Sequence, residues 1–244
     1  MMGSSMQQYV ARGVHGQTVE ILAQRILNGQ VAEGGTLDIA ALQNELDVSL
    51  TVLREALRVL AAKGMVDARP KRGTFVRPRA DWSLLDADVL RWQFARQDRP
   101  SLLNQLHELR SIVEPGAASL AAGRATGDDL AALDAALDSM AAAGSDPGAA
   151  VAADLSFHRA LLAATHNELV VRMEVLIETG LAERDRMVHG QAGTTDPVPR
   201  HRAVVDAIRG QDPAGAAAAM GELLDQAIAD VAALERSGGY REDR

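Results

Sequence analysis

The run Val48-Ser49-Leu50-Thr51-Val52-Leu53-Arg54-Glu55-Ala56-Leu57-Arg58 constrains this chain more tightly than any other stretch, because it places a capping serine, a buried stripe and a basic face on one short helix. Ser49 can accept a hydrogen bond from the free N–H groups of a first helical turn, so the helix begins beside it. Leu53, Leu57 and Leu60 follow at i, i+4 and i+7 and form one apolar stripe. Arg54 and Arg58 are also one turn apart but lie on another face, beyond the small polar residues Ser49 and Thr51 at the helix start. A helix of this layout is shaped for a groove of double-stranded DNA, where its N-terminal N–H groups also favour phosphate.

The flanking residues extend the helix into a module. Ile39, Leu42 and Leu46 mark a short preceding helix that ends at Asp47, leaving a tight turn before Ser49. Two short helices joined in this way make a helix-turn-helix. Lys63-Gly64 closes the second helix with a glycine that tolerates positive φ. Two β-type runs follow, Met65 to Arg69 and Thr74 to Arg77, joined by Pro70-Lys71-Arg72-Gly73. Such a basic wing suits phosphate or minor-groove contact. The charge distribution agrees. The chain carries −8 overall, but residues 1–80 hold 10 Lys+Arg against 7 Asp+Glu, whereas residues 81–244 hold 15 against 26. The basic end is the one suited to nucleic acid.

Gly29, Gly34 and Leu37, then Val48-Ser49, Arg54-Glu55-Ala56-Leu57, Leu60 and Gly64, and finally Arg72-Gly73-Thr74-Phe75-Val76 occur in one order. Through them residues 17–77 resemble the winged helix of the GntR superfamily of bacterial transcription factors. The resemblance implies DNA contact by Ser49, Thr51, Arg54 and Arg58 from the helix and by Lys71, Arg72 and Gly73 from the wing. Arg54 is the candidate for reading a base edge, with Ser49 and Arg58 near phosphates; for Arg58 a solvated helix face is the competing reading. Leu50 and Ala40 depart from the pattern, the first standing where most relatives carry arginine and the second where some do. A bidentate Arg–guanine contact is worth about 1–3 kcal/mol, so these losses are expected to change the preferred operator or lower specificity.

The rest of the chain is long enough for a second domain. Pro78 stops the wing strand, and the pattern then turns helical, with helices expected at 84–97, 100–125, 128–143, 147–164, 167–189, 199–210 and 213–235. Arg99-Pro100, Thr126 with Asp129, Asp146-Pro147 and Asp212-Pro213 supply caps or first-turn prolines. Pro115 falls inside one helix and is expected to kink it. The fold class is therefore mostly α. The expected layout is a mobile segment at 1–16, a winged helix-turn-helix of three helices and a small hairpin at 17–79, an all-α antiparallel bundle at 80–236 and a mobile tail at 237–244. The chain has no cysteine, hence no disulfide or thiolate chemistry. Ala-rich stretches broken by Asp, Arg or Gly leave no secretory or membrane segment, so a cytoplasmic protein with no membrane partner is expected.

Within the bundle, Asp154 and His158 are four apart and project from one helix face, and His201 opens another helix about forty residues later. Asp and His one turn apart with a distant His can hold a divalent metal ion in a helical bundle; a hydrogen-bonded surface pair is the bland alternative. Arg110 with Glu114, Ala121-Ala122, Asp154 with Phe157-His158, His166-Asn167, and His201 with Ala207-Ile208 and Asp212 resemble the FCD effector domain of the FadR subfamily of GntR regulators, over residues 84–235.

That resemblance implies binding of a small organic acid by Arg110, Asp154, His158 and His201, aided by one divalent ion of zinc, nickel or manganese type on Asp154, His158 and His201. Its fourth ligand would be a histidine near Met220, but Met220-Gly221-Glu222-Leu223 stands there and Leu223 cannot ligate. His166 and His189 are spare candidates off the family spacing. Arg110 can grip a carboxylate bidentately or pair with Glu114 one turn away.

Trp82-Ser83-Leu84-Leu85-Asp86-Ala87-Asp88-Val89-Leu90-Arg91-Trp92 resembles the inter-domain segment of regulators of sugar-acid catabolism, galactonate-responsive repressors in particular, which implies a sugar-acid effector. The expected protein is a homodimeric repressor that leaves its operator DNA when the acid binds. A metal-dependent hydrolase built on Asp154, His158 and His201 is the alternative, but the spacing offers no second carboxylate as general base and no nucleophile motif, so no enzyme is expected.

Overall fold

The computed structural model describes residues 13–94, 99–144, 146–175, 177–178 and 196–236, and the chain divides into two compact units at Arg99/Pro100.

The first unit contains α1 (Gly13–Leu27), α2 (Ile39–Leu46), α3 (Leu50–Ala62), β1 (Val66–Arg69), β2 (Gly73–Val76), a single 3-10 turn at Arg79–Asp81 and α4 (Ala87–Phe94). The strands form an antiparallel hairpin in register from Val66↔Val76 to Arg69↔Gly73, and Thr36 bridges to Phe75 on its open edge. Asp38 and Ser49 cap α2 and α3 with their side chains, accepting from Ala41 N and Val52 N. Leu53, Leu57 and Leu60 are buried as their spacing required, packed with Val19, Leu22 and Ile26 of α1. After α3, Gly64 takes φ +75°, and a Cβ there would strike the carbonyl oxygen of Asp81, so glycine is required both by conformation and by space.

Two expected boundaries shift. Residues 13–16 form the first turn of α1 rather than part of a mobile segment, held by the Thr18 hydroxyl donating to Val14 O and by burial of Gly16. The expected segments at 1–12 and 237–244 lie outside the described residues. More consequentially, the expected boundary at 79/80 gives way to one at Arg99, because Trp82, Val89 and Trp92 complete the hydrophobic core of the first unit. Trp92 Nε1 donates to Glu20 at 2.7 Å, Gln24 donates to Trp92 O, and Lys63 at the end of α3 pairs with Asp86 at 2.7 Å and Asp88 at 2.8 Å. The composition change at Pro78 marks a change of secondary structure, while the packing runs on to α4.

The second unit comprises α5 (Arg99–Ala122), α6 (Gly127–Ala143), α7 (Pro147–Ala163), α8 (Glu168–Val171), α9 (Val198–Arg209) and α10 (Pro213–Arg236). Thr126 and Asp129 form a reciprocal capping box on α6, and Asp146 caps α7 ahead of Pro147. α5 runs through Pro115 as one element. The helix expected at 167–189 is interrupted at Arg172–Met173, where Met173 N bonds to Val170 O, three residues back; residues 179–195 are outside the described residues. The core joins Ala118, Ala121 and Ala122 of α5 to Leu133, Leu137 and Met140 of α6, Phe157 and Leu161 of α7, Val204, Val205 and Ile208 of α9, and Met220, Leu223 and Leu224 of α10. Among the described residues, no helix is long and apolar enough to cross a membrane.

Candidate DNA-binding surface and effector site

On the first unit, Ser49, Thr51, Arg54 and Arg58 are exposed along α3, with Leu50 exposed beside them. Arg54 makes no ion pair among the described residues, whereas Arg58 pairs with Glu55 at 2.8 Å. At the hairpin tip Lys71 and Gly73 adopt positive φ. Arg72 turns back: its guanidinium lies 3.5 Å from the centroid of Phe75 and donates to Gly34 O at 3.3 Å. It therefore stiffens the wing as well as charging it.

In the second unit, α5, α7 and α9 bring Arg110, Glu114, Asp154, His158 and His201 into one buried cluster, each under a tenth exposed. α7 contributes Asp154 and His158 from successive turns, as their spacing required. His201 sits in the first turn of α9, and its Nδ1 lies 2.9 Å from Pro197 O. A carbonyl only accepts, so Nδ1 carries a proton. The ring's Nε2 lies 2.9 Å from Asp154 Oδ1. On the opposite side His158 Nδ1 lies 2.6 Å from Glu114 Oε2, off the linear hydrogen-bond axis, and its Nε2 lies 3.7 Å from the same Asp154 Oδ1. Asp154, His158 and His201 thus offer one carboxylate oxygen and two ring nitrogens, all within 4.8 Å of one another. A carboxylate oxygen and two imidazole nitrogens gathered this closely are the donor set of a divalent metal site. Phe157 packs edge-on against both imidazole rings and holds their planes.

Glu114 is the residue that spacing alone undervalued. It was legible only as a partner for Arg110, and that ion pair does form, through Arg110 Nε and Glu114 Oε1. Glu114 is also fully buried and reaches His158, so the site does hold the second carboxylate that the sequence did not reveal. Burial pushes its pKa up, but the Arg110 charge, with the adjacent His158 and the hydrogen bonds from Arg110, outweighs this and lowers it from 4.5 to about 2. Arg110 Nη2 further contacts His158 Nε2 at 3.3 Å. Leu223, at the position of the absent fourth ligand, is buried in the apolar core with Met220. His166 lies on the surface and pairs with Asp129 at 2.8 Å, and His189 is outside the described residues.

A winged helix followed by a helical unit with a buried polar cluster defines a DNA-binding transcription regulator with an effector domain, and comparison with known proteins agrees. Residues 15–76 match the gntR family of bacterial regulatory proteins and residues 105–226 match the FCD domain. The chain is 36% identical over 195 residues to the galactonate operon transcriptional repressor of Escherichia coli (strain K12), covering 78% of this chain and 85% of that one. It is 31% identical over 208 residues to the HTH-type transcriptional regulator LutR of Bacillus subtilis (strain 168), covering 80% and 90%. Among solved structures, that of Lar, which controls the Listeria monocytogenes agr system, superposes with a TM-score of 0.62 over 91% of this chain and 98% of that one; at 18% identity this bears on the fold alone. The chain belongs to the GntR family of bacterial transcription regulators, in its FCD-containing branch, and is not an enzyme.

Proposed function

We propose that this regulator is a homodimeric repressor whose second unit binds a sugar acid, galactonate or a close relative, together with one divalent metal ion, and that this binding releases the dimer from its operator. The observation that carries the proposal is the convergence of Asp154, His158 and His201, one carboxylate oxygen and two ring nitrogens all within 4.8 Å of one another. Those three residues hold the metal, of zinc, nickel or manganese type. Three protein ligands leave coordination positions for a hydroxy acid's carboxylate and hydroxyl, which suits Leu223 in place of a fourth ligand. The metal supplies the positive charge that draws the acid into a buried site, and Arg110 adds a guanidinium beside it. The sugar-acid class is supported by identity to the galactonate operon repressor across most of both chains.

On DNA, α3 enters the major groove with Arg54 against a base edge and Thr51 beside it. Ser49 and Arg58 lie near phosphates, and Lys71, Arg72 and Gly73 bring the wing to the backbone. Two copies read half-sites about 34 Å apart, since two-fold protein symmetry imposes two-fold site symmetry. A tenfold loss of operator affinity needs about 1.4 kcal/mol of coupling between the sites.

The test is fluorescence anisotropy of the protein on its own upstream DNA at fixed salt, titrated with galactonate and other sugar acids, with and without added metal. Release by a sugar acid in wild type, and none in His158→Ala with operator affinity intact, is the expected result. Release of His158→Ala at the same acid concentration as wild type would refute the site.

A further inference from the structure

We propose that Glu114 is a positioning residue for this site: it turns His158 so that Nε2 faces Asp154, and it screens Arg110 so that a divalent cation can lie beside a guanidinium. This role rests on the metal-assisted reading of the site and extends it to a residue outside the ligand set.

The first half follows from chemistry at the His158 ring. An ionised carboxylate 2.6 Å from Nδ1 tolerates a proton there and repels a lone pair. The proton therefore stays on Nδ1 and the lone pair on Nε2, the atom that looks toward Asp154. Glu114 does for His158 what the Pro197 carbonyl does for His201, and the two supports leave both rings presenting the same nitrogen. A carboxylate or carbonyl behind a ligating imidazole fixes its tautomer and orientation and makes it a better donor.

The second half follows from charge. Arg110 Nη2 donates to His158 Nε2 at 3.3 Å, so a cation that takes this nitrogen displaces that hydrogen bond and keeps a guanidinium as its neighbour. Two like charges at such separation in a buried site repel strongly. Glu114 is wholly buried and contacts both the Arg110 guanidinium and His158. Among the described residues, with both imidazoles neutral, Arg110 against Glu114 and Asp154 gives the cluster one net negative charge before a cation enters. A divalent ion converts this to one net positive charge, which suits a monoanionic acid. Without Glu114 the cluster is neutral, and Arg110 opposes the metal unscreened.

Zinc alone is the probe for the charge role, measured by isothermal titration calorimetry on the full chain after treatment with a chelator. Glu114→Gln, isosteric and uncharged, is expected to weaken zinc binding at least tenfold. The double variant Arg110→Gln/Glu114→Gln is expected to recover affinity to within about threefold of wild type, because the repelling charge leaves with its screen. A double variant as weak as Glu114→Gln or weaker would overturn the screening role and reduce Glu114 to structural support. The orienting role is read without metal: nitrogen–proton correlation spectra of the histidine rings should show His158, assigned by its loss in His158→Gln, protonated at Nδ1. Protonation at Nε2 would overturn that role. If His158→Ala loses zinc binding while Glu114→Gln keeps it, the Glu114 inference fails and the site stands. If His158→Ala binds zinc as wild type does, both fail.

Discussion

Truncating Trp92 to alanine tests where the first unit ends. Trp92 lies on α4, beyond the wing, and is 1% exposed, packed with Val19, Leu22 and Leu60 in one core. Its indole also donates to Glu20 at 2.7 Å. Removing a fully buried tryptophan forfeits its transfer free energy and leaves a cavity, about 3–5 kcal/mol together. For a unit of this size each kcal/mol lowers the melting temperature by about 4–8 °C, so even the low ends give a drop of about 12 °C. The chain has two tryptophans, Trp82 and Trp92, both in the first unit. In the Trp92→Ala protein the emission of Trp82 therefore follows that unit alone during heating. Zinc binding by the second unit should be unchanged at temperatures below the new midpoint. A fluorescence midpoint within about 3 °C of wild type would refute the assignment of α4 to the winged-helix core and restore a boundary near Pro78.

Arg54→Ala should weaken operator binding by roughly 5- to 150-fold, the range for one bidentate base contact, while Arg58→Ala, already paired with Glu55, should cost less than about threefold; anisotropy at fixed salt separates them, and equal effects would contradict the division of roles. Glu114 has a folded pKa of about 2 against 4.5 for the ordinary group, so its contribution to stability is complete above pH 4.5 and disappears as pH falls from there toward 2. Urea midpoints measured between pH 5 and pH 3 should therefore fall less steeply in Glu114→Gln than in wild type; parallel slopes would mean that the carboxylate is not held in its charged form. Gly64→Ala puts a Cβ into the Asp81 carbonyl at φ +75° and should destabilise the first unit by at least about 1–2 kcal/mol, read as a lowered thermal midpoint of tryptophan emission.

Local chemistry made much of this protein readable from its residues alone. Ser49, Thr126 with Asp129, and Asp146 with Pro147 mark helix starts within a residue of where they form, because a cap satisfies N–H groups two or three positions away and needs no distant partner. Leu53, Leu57 and Leu60 declared the buried face of α3 by period, and the Asp154–His158 spacing placed both groups on one face of α7. The winged helix, the helical effector domain and the Asp154, His158 and His201 set were all legible on those grounds and through the family resemblance.

Tertiary structure decided what depends on residues far apart in the chain. Whether α4 belongs to the wing or to the bundle turns on Trp92 meeting Glu20 and Lys63 meeting Asp86 and Asp88, contacts that no period or cap encodes. The double duty of Glu114 is of the same kind. Its pairing with Arg110 is a one-turn relation visible in sequence, but its contact with His158 spans 44 positions and exists only once α5 and α7 pack together. Sequence alone set the elements and their chemical types, since caps and periodicity act within a few residues; packing chose their partners, since burial and charge pairing act through space.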